Sequence, residues 1–123
     1  MKKLLVLAAV SEGLTGLVLL VYPPIVIRLL FGSEIAGAGV LMSRIAGISL
    51  IALGVACWPD RNPLRAFFGM STYSLLATLY LVYVGVNGGS GILLWPLGVA
   101  HAGLFVLLVW ARRKEPPAPE ANP

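Results

Sequence analysis

Leu4–Tyr22 reads LLVLAAVSEGLTGLVLLVY. The stretch is apolar on every face and is interrupted only by Ser11, Thr15 and one carboxylate, Glu12. It shows neither the polar face of a surface helix nor the period-2 alternation of a half-buried strand. About 20 apolar residues in helical form cover the ~30 Å of hydrocarbon in a bilayer. Lipid also requires each backbone N–H and C=O to be satisfied within the segment, which a helix does by itself. The stretch therefore reads as a membrane span. Lys2-Lys3 ahead of Leu4–Val10 loosely resembles a signal peptide. However, the apolar run continues to Tyr22 with no polar mature region behind it, so it is expected to be kept as a first helix.

Three further apolar segments follow, Ile35–Trp58, Leu64–Val86 and Ile92–Ala111. The breaks carry turn chemistry: Tyr22-Pro23-Pro24, then Pro59-Asp60-Arg61-Asn62-Pro63, then Asn87-Gly88-Gly89-Ser90-Gly91. Turns this short make neighbouring helices antiparallel. The expected fold is an all-α, antiparallel integral membrane four-helix bundle, one domain over residues 1–111. Ile25–Phe31 is too short to span. It reads either as a half-helix at the interface, with Arg28 at the headgroups, or as an extension of a tilted first helix. Residues 112–123 are Pro-rich and polar and are expected to form a disordered cytoplasmic tail.

The composition agrees with a membrane protein. Of 123 residues, 59% are hydrophobic and 11% charged, against about 25% charged in soluble domains. Mean hydropathy is +0.92. These values exclude a disordered chain, a disulfide scaffold and an ordinary soluble enzyme. The net charge of +4 does not point to nucleic acid, because the basic residues lie in small clusters between apolar runs rather than along one exposed face. Lys2, Lys3, Arg61, Arg65, Arg112, Arg113 and Lys114 flank one side of the segments, and Arg28 alone flanks the other. By the positive-inside rule both termini of this multi-pass chain are expected to be cytoplasmic. Trp58 and Trp110 then fall at the inner interface and Trp95 at the outer one.

Two charges, Glu12 and Arg44, interrupt otherwise apolar segments. Each costs about 2.5–3.5 kcal/mol at the centre of a membrane helix, so such residues face the bundle interior and find partners there. At ~1.5 Å per residue, Glu12 lies ~12 Å, Arg44 ~21 Å, Tyr73 ~14 Å and His101 ~15 Å from the cytoplasmic end. One residue from each helix at similar depth predicts a buried cluster of Glu12, Arg44, Tyr73 and His101, with the carboxylate and guanidinium paired. Ala9, Gly13 and Gly16 around Glu12, Ser43 and Gly47 around Arg44, and Gly98 and Ala102 around His101 would let backbones approach closely. The cluster reads as packing glue or as a binding or transport site. Catalysis has least support, because no nucleophile–base pair is visible. Tyr73 and Tyr80 lie seven apart and share a face, so an aromatic-lined cavity is a further reading. His101 is the only histidine, so a haem or metal site would need ligands from other chains. No cofactor or metal is expected, and Cys57 reads as a small buried apolar residue.

Glu12-Gly13-Leu14 in the first helix, the Pro-led stretch Pro23–Gly32 and Ser43-Arg44-Ile45-Ala46-Gly47 opening a Gly-rich second helix carry a resemblance. Over about Leu4–Ala111 the chain resembles the DoxX-like small four-helix bacterial membrane proteins. The resemblance implies a cytoplasmic-membrane bundle and, from some members, a link to quinone or redox-associated complexes. The chain is also similar to small multidrug resistance transporters in its length, four helices and single embedded glutamate in the first helix. In that family the glutamate exchanges protons for lipophilic cations. Here a paired Arg44 would compete with such a cation, and the third helix lacks the family's Trp-containing motif.

The expected function is that of a small non-enzymatic membrane protein whose polar cluster binds a lipid or quinone-like molecule, or of an accessory subunit in a membrane complex. Its partners would be the bilayer, a lipophilic small molecule, and a second copy or complex subunit. A proton-coupled exporter using Glu12 is the alternative.

Overall fold

The computed structural model describes residues 1–60 and 62–117. Arg61 and residues 118–123, the end of the expected tail, lie outside the described residues. The chain is all-helical: α1 Lys2–Val21, α2 Pro23–Phe31, α3 Ala38–Ala56, α4 Pro63–Val86 and α5 Leu94–Lys114. α1, α3, α4 and α5 are each long and apolar enough to cross a membrane.

Local chemistry sets the boundaries. α1 stops at Tyr22, because Pro23 and Pro24 cannot continue its hydrogen-bond ladder but fit the first turn of α2. α2 is thus a separate helix, not a continuation of α1, and it ends on Gly32 in the left-handed region at φ 70°. α3 begins at Ala38 rather than Ile35, because Gly37 takes φ 55° ahead of it. Asn62 caps α4, its side chain accepting from the Leu64 N–H at 3.2 Å, with Pro63 at the first helical position. α5 runs through Arg112, Arg113 and Lys114, three residues expected in the tail. Positive charge in the last turn complements the helix dipole, and the Lys114 ammonium lies 3.7 Å from the centre of the Trp110 ring.

The long helices pack as two pairs, α1 with α3 and α4 with α5, and contacts between the pairs are sparser. Glycine holds the first pair close. A methyl group on Gly16 would lie 2.6 Å from the Gly47 carbonyl oxygen, and one on Gly47 would lie 2.6 Å from that of Gly16. Only hydrogen fits at this crossing, the arrangement that small residues permit between apolar helices.

The two pairs meet in one packed layer. Leu5, Ala8, Cys57, Ala66, Phe67, Met70 and Leu108 form the core, where the start of α1, the end of α3, the start of α4 and the end of α5 converge. Leu5, Met70 and Leu108 have no exposed surface. Beyond this layer the pairs separate. At the other end α2 lies across the gap, held by a hydrogen bond from the Leu93 N–H to the Leu29 carbonyl of 2.9 Å. The separation leaves room for a cavity.

Candidate functional site

A cavity of about 480 Å³ lies between the helix pairs. α1 contributes Ala8, Ser11, Glu12 and Thr15 to its wall, residues spaced to share one helix face. α4 adds Tyr73, Ala77 and Tyr80, α5 adds Leu97, Ala100 and His101, and α2 closes it with Val26 and Leu30. The remaining lining is aliphatic, so the polar groups are few: Ser11, Glu12 and Thr15 on α1, Tyr73 and Tyr80 on α4, and His101 on α5, with Glu12, Tyr73 and His101 gathered in one patch.

Glu12 and His101 form the centre of that patch. Both are more than nine-tenths buried, and Glu12 Oε1 lies 3.3 Å from His101 Nε2. The other ring nitrogen, Nδ1, is 2.8 Å from the Leu97 carbonyl oxygen, one turn earlier on α5. A carbonyl oxygen only accepts, so Nδ1 must carry a proton and donate it. In a neutral ring Nε2 would then direct a lone pair at a carboxylate, placing two acceptors face to face. The contact is satisfied only if the pair holds one further proton, on the carboxyl or on Nε2. Glu12 and His101 thus form a couple whose direct hydrogen bond needs one shared proton.

The couple is not fully satisfied. Nε2 lies outside hydrogen-bonding geometry with Glu12 and has no other partner among the described residues. A buried polar atom in that state costs about 1–3 kcal/mol. The Tyr73 ring meets the imidazole edge-on, with centroids 5.7 Å apart and planes at 66°. The Ser11 and Thr15 hydroxyls donate to the Leu7 and Ser11 carbonyls at 2.8 and 2.9 Å and remain free to accept. Ser71 and Ser74 on α4 also bury hydroxyls without a partner among the described residues, but neither lines the cavity.

Three of the four residues expected to cluster, Glu12, Tyr73 and His101, line this one cavity. Arg44 does not. It is exposed on α3 and makes no ion pair among the described residues. The helix register explains this. Gly16 lies against Gly47, and the Ala9 carbonyl lies against Gly54. Glu12, midway between Ala9 and Gly16, is therefore level with about Leu50–Ile51. Arg44 sits some seven residues further along α3, a separation of ~10 Å. Depth counted from the ends of each segment placed Arg44 too near. Arg28, expected at the headgroups, pairs with Glu34 across the turn after α2.

Sequence reasoning passed over the α2 residues that roof the cavity and the small Ala77 and Ala100 that make space within it. The spacing of Ala8, Ser11, Glu12 and Thr15 was a readable signal of a small, polar face on α1. A second, shallower cavity of about 380 Å³ continues from the first between α1, α2 and the start of α5. The two share Thr15, Val26, Leu30 and Leu97. No group of three or more His, Cys, Asp or Glu residues that could hold a metal ion occurs among the described residues.

Compared with known proteins, the chain matches no family model, no curated protein and no solved structure.

Proposed function

We propose that this chain is a multi-pass protein of the bacterial inner membrane that holds a lipophilic small molecule, lipid or quinone-like, in the cavity between its helix pairs. The helices cross the bilayer antiparallel with both termini cytoplasmic, in keeping with the short turns and the basic residues at one end. The protein is a binder or accessory subunit rather than an enzyme, and the DoxX-like resemblance belongs to this reading. One observation carries it: a largely apolar cavity of about 480 Å³ with a few polar groups in its wall. Ligand sites have this character, a mostly apolar cleft of ~300–1,000 Å³ with a few placed polar groups. Much of α3 is exposed, and it offers the surface on which a second copy or a complex subunit would pack.

Filling the cavity tests the reading. In the variant Ala77→Phe/Ala100→Phe, copurifying lipophilic molecules detected by native mass spectrometry after gentle extraction should fall at least tenfold relative to the parent. Equal occupancy in a folded variant would sink the assignment.

A second reading gains support from one observation. With Arg44 away from the site, Glu12 has no lysine or arginine beside it among the described residues, only His101. A proton-coupled exporter that trades the proton of the couple for a lipophilic cation is therefore the alternative. Adding tetraphenylphosphonium to unbuffered protein in detergent would then release about one proton per chain, and Glu12→Gln would abolish the release. Absence of proton release from the parent protein removes this alternative.

A further inference from the structure

The two cavities and the unsatisfied nitrogen together define what kind of molecule fits. This inference rests on the cavity being a ligand site and adds the ligand's chemical class and pose. Among the described residues that line the larger cavity, Glu12 is the only acid, and no lysine or arginine contributes. A fatty acid or phosphate head would meet a carboxylate without a compensating arginine or lysine, and a buried unpaired charge is strongly disfavoured. A hydrocarbon would leave Nε2 unsatisfied. The couple calls for an atom that donates and accepts at once: it must accept from whichever member carries the shared proton and donate to the other. A hydroxyl does both, and a contact of 3.3 Å that is already out of line leaves both groups able to turn toward a third.

The second cavity gives the molecule a direction. From the polar patch the space runs past Thr15 and Leu97, under Val26 and Leu30 of α2, to Leu14, Val18 and Leu93. Past Thr15 this branch is lined only by aliphatic side chains, and Leu14 and Val18 are about half exposed. A single extended chain fits such a path, with its far end emerging beside α2.

We propose that the site binds a single-chain amphiphile with a hydroxyl head, a long-chain alcohol or phenol, the hydroxyl bridging Glu12 and His101 and the chain lying beneath α2.

Three radiolabelled probes of equal chain length, hexadecanol, hexadecanoic acid and hexadecane, test this with the full chain in lipid nanodiscs at neutral pH. Hexadecanol should bind saturably at one per chain, and the acid and the alkane at least tenfold more weakly. The paired replacement Glu12→Leu/His101→Leu should lower hexadecanol binding at least tenfold while leaving hexadecane unchanged, a contrast that a general loss of folding would not produce. Leu30→Trp, at the junction of the two cavities, should weaken hexadecanol at least tenfold and octanol much less. Equal binding of the three probes overturns the hydroxyl assignment and leaves the ligand site standing. Unchanged hexadecanol binding in Leu30→Trp overturns the pose. No saturable binding of any probe overturns this proposal, and the occupancy of the protein as extracted then decides whether the ligand site falls with it.

Discussion

Glu12 makes its buried side-chain contact with His101, and each group is costly to bury without the other. Removing one member of a buried pair typically costs ~3–5 kcal/mol, whereas replacing both with apolar residues of similar volume is often neutral or stabilising. In detergent, Glu12→Leu and His101→Leu should therefore each destabilise the bundle by about that amount. The pair Glu12→Leu/His101→Leu should recover most of the loss, a coupling readable from a double-mutant cycle in denaturant. Arg44→Leu, which breaks no ion pair among the described residues, should not lower stability. Two singles as stable as the parent would show that the couple contributes nothing to folding. That Glu12 and His101 are inward polar residues was legible from their isolation in apolar helices. Their partnership was not, because it depends on how the two helix pairs are seated against each other. Arg44 met the same sequence criterion as Glu12, and only the crossing at Gly16 and Gly47 separates their levels.

At the scale of elements, the α1–α3 contact is the least tolerant part of the fold. Gly47→Val places its side chain against the Gly16 carbonyl and the backbone at Leu19–Leu20, and rigid backbone cannot yield as a long side chain does. Overpacking of this sort costs ~1–3 kcal/mol, so a lower unfolding midpoint is expected. Gly13→Ala, one turn from Gly16, meets nothing within 4 Å and should leave the midpoint unchanged. A midpoint that falls equally in both would refute the close-contact account. The four long segments were readable from hydropathy, with ends accurate to a few residues. Where they erred, a glycine or a run of charge decided: Gly37 delays α3, and the basic last turn carries α5 beyond Ala111. The separateness of α2 turned on one backbone angle pair at Tyr22, which two consecutive prolines suggest without dictating.

For the whole molecule, the basic residues at one end give the topology reading its test. Reporter domains fused at either terminus should both be active only as cytoplasmic reporters. A cysteine placed at Ser90 in a Cys57→Ala background should react with a membrane-impermeant thiol reagent added to intact spheroplasts. Labelling only after lysis would reverse the orientation. The four long apolar helices follow from averages over many residues, which is why composition and hydropathy alone reach them. The cavity depends on where two packed pairs part, a difference among contacts that no single segment records.

The packed layer formed by Leu5, Met70, Leu108 and their neighbours has a kinetic consequence. It acts as a floor: a molecule resting on the Glu12–His101 couple can leave sideways or past α2, but it can pass on toward the basic end only if that layer comes apart. A holder never needs the floor to move, whereas an exporter would have to breach it in every cycle. Cys57, built into the floor and 3% exposed, is a natural clock for such openings. The rate at which a small thiol reagent reaches it, with and without a lipophilic cation present, measures how often the floor gives way.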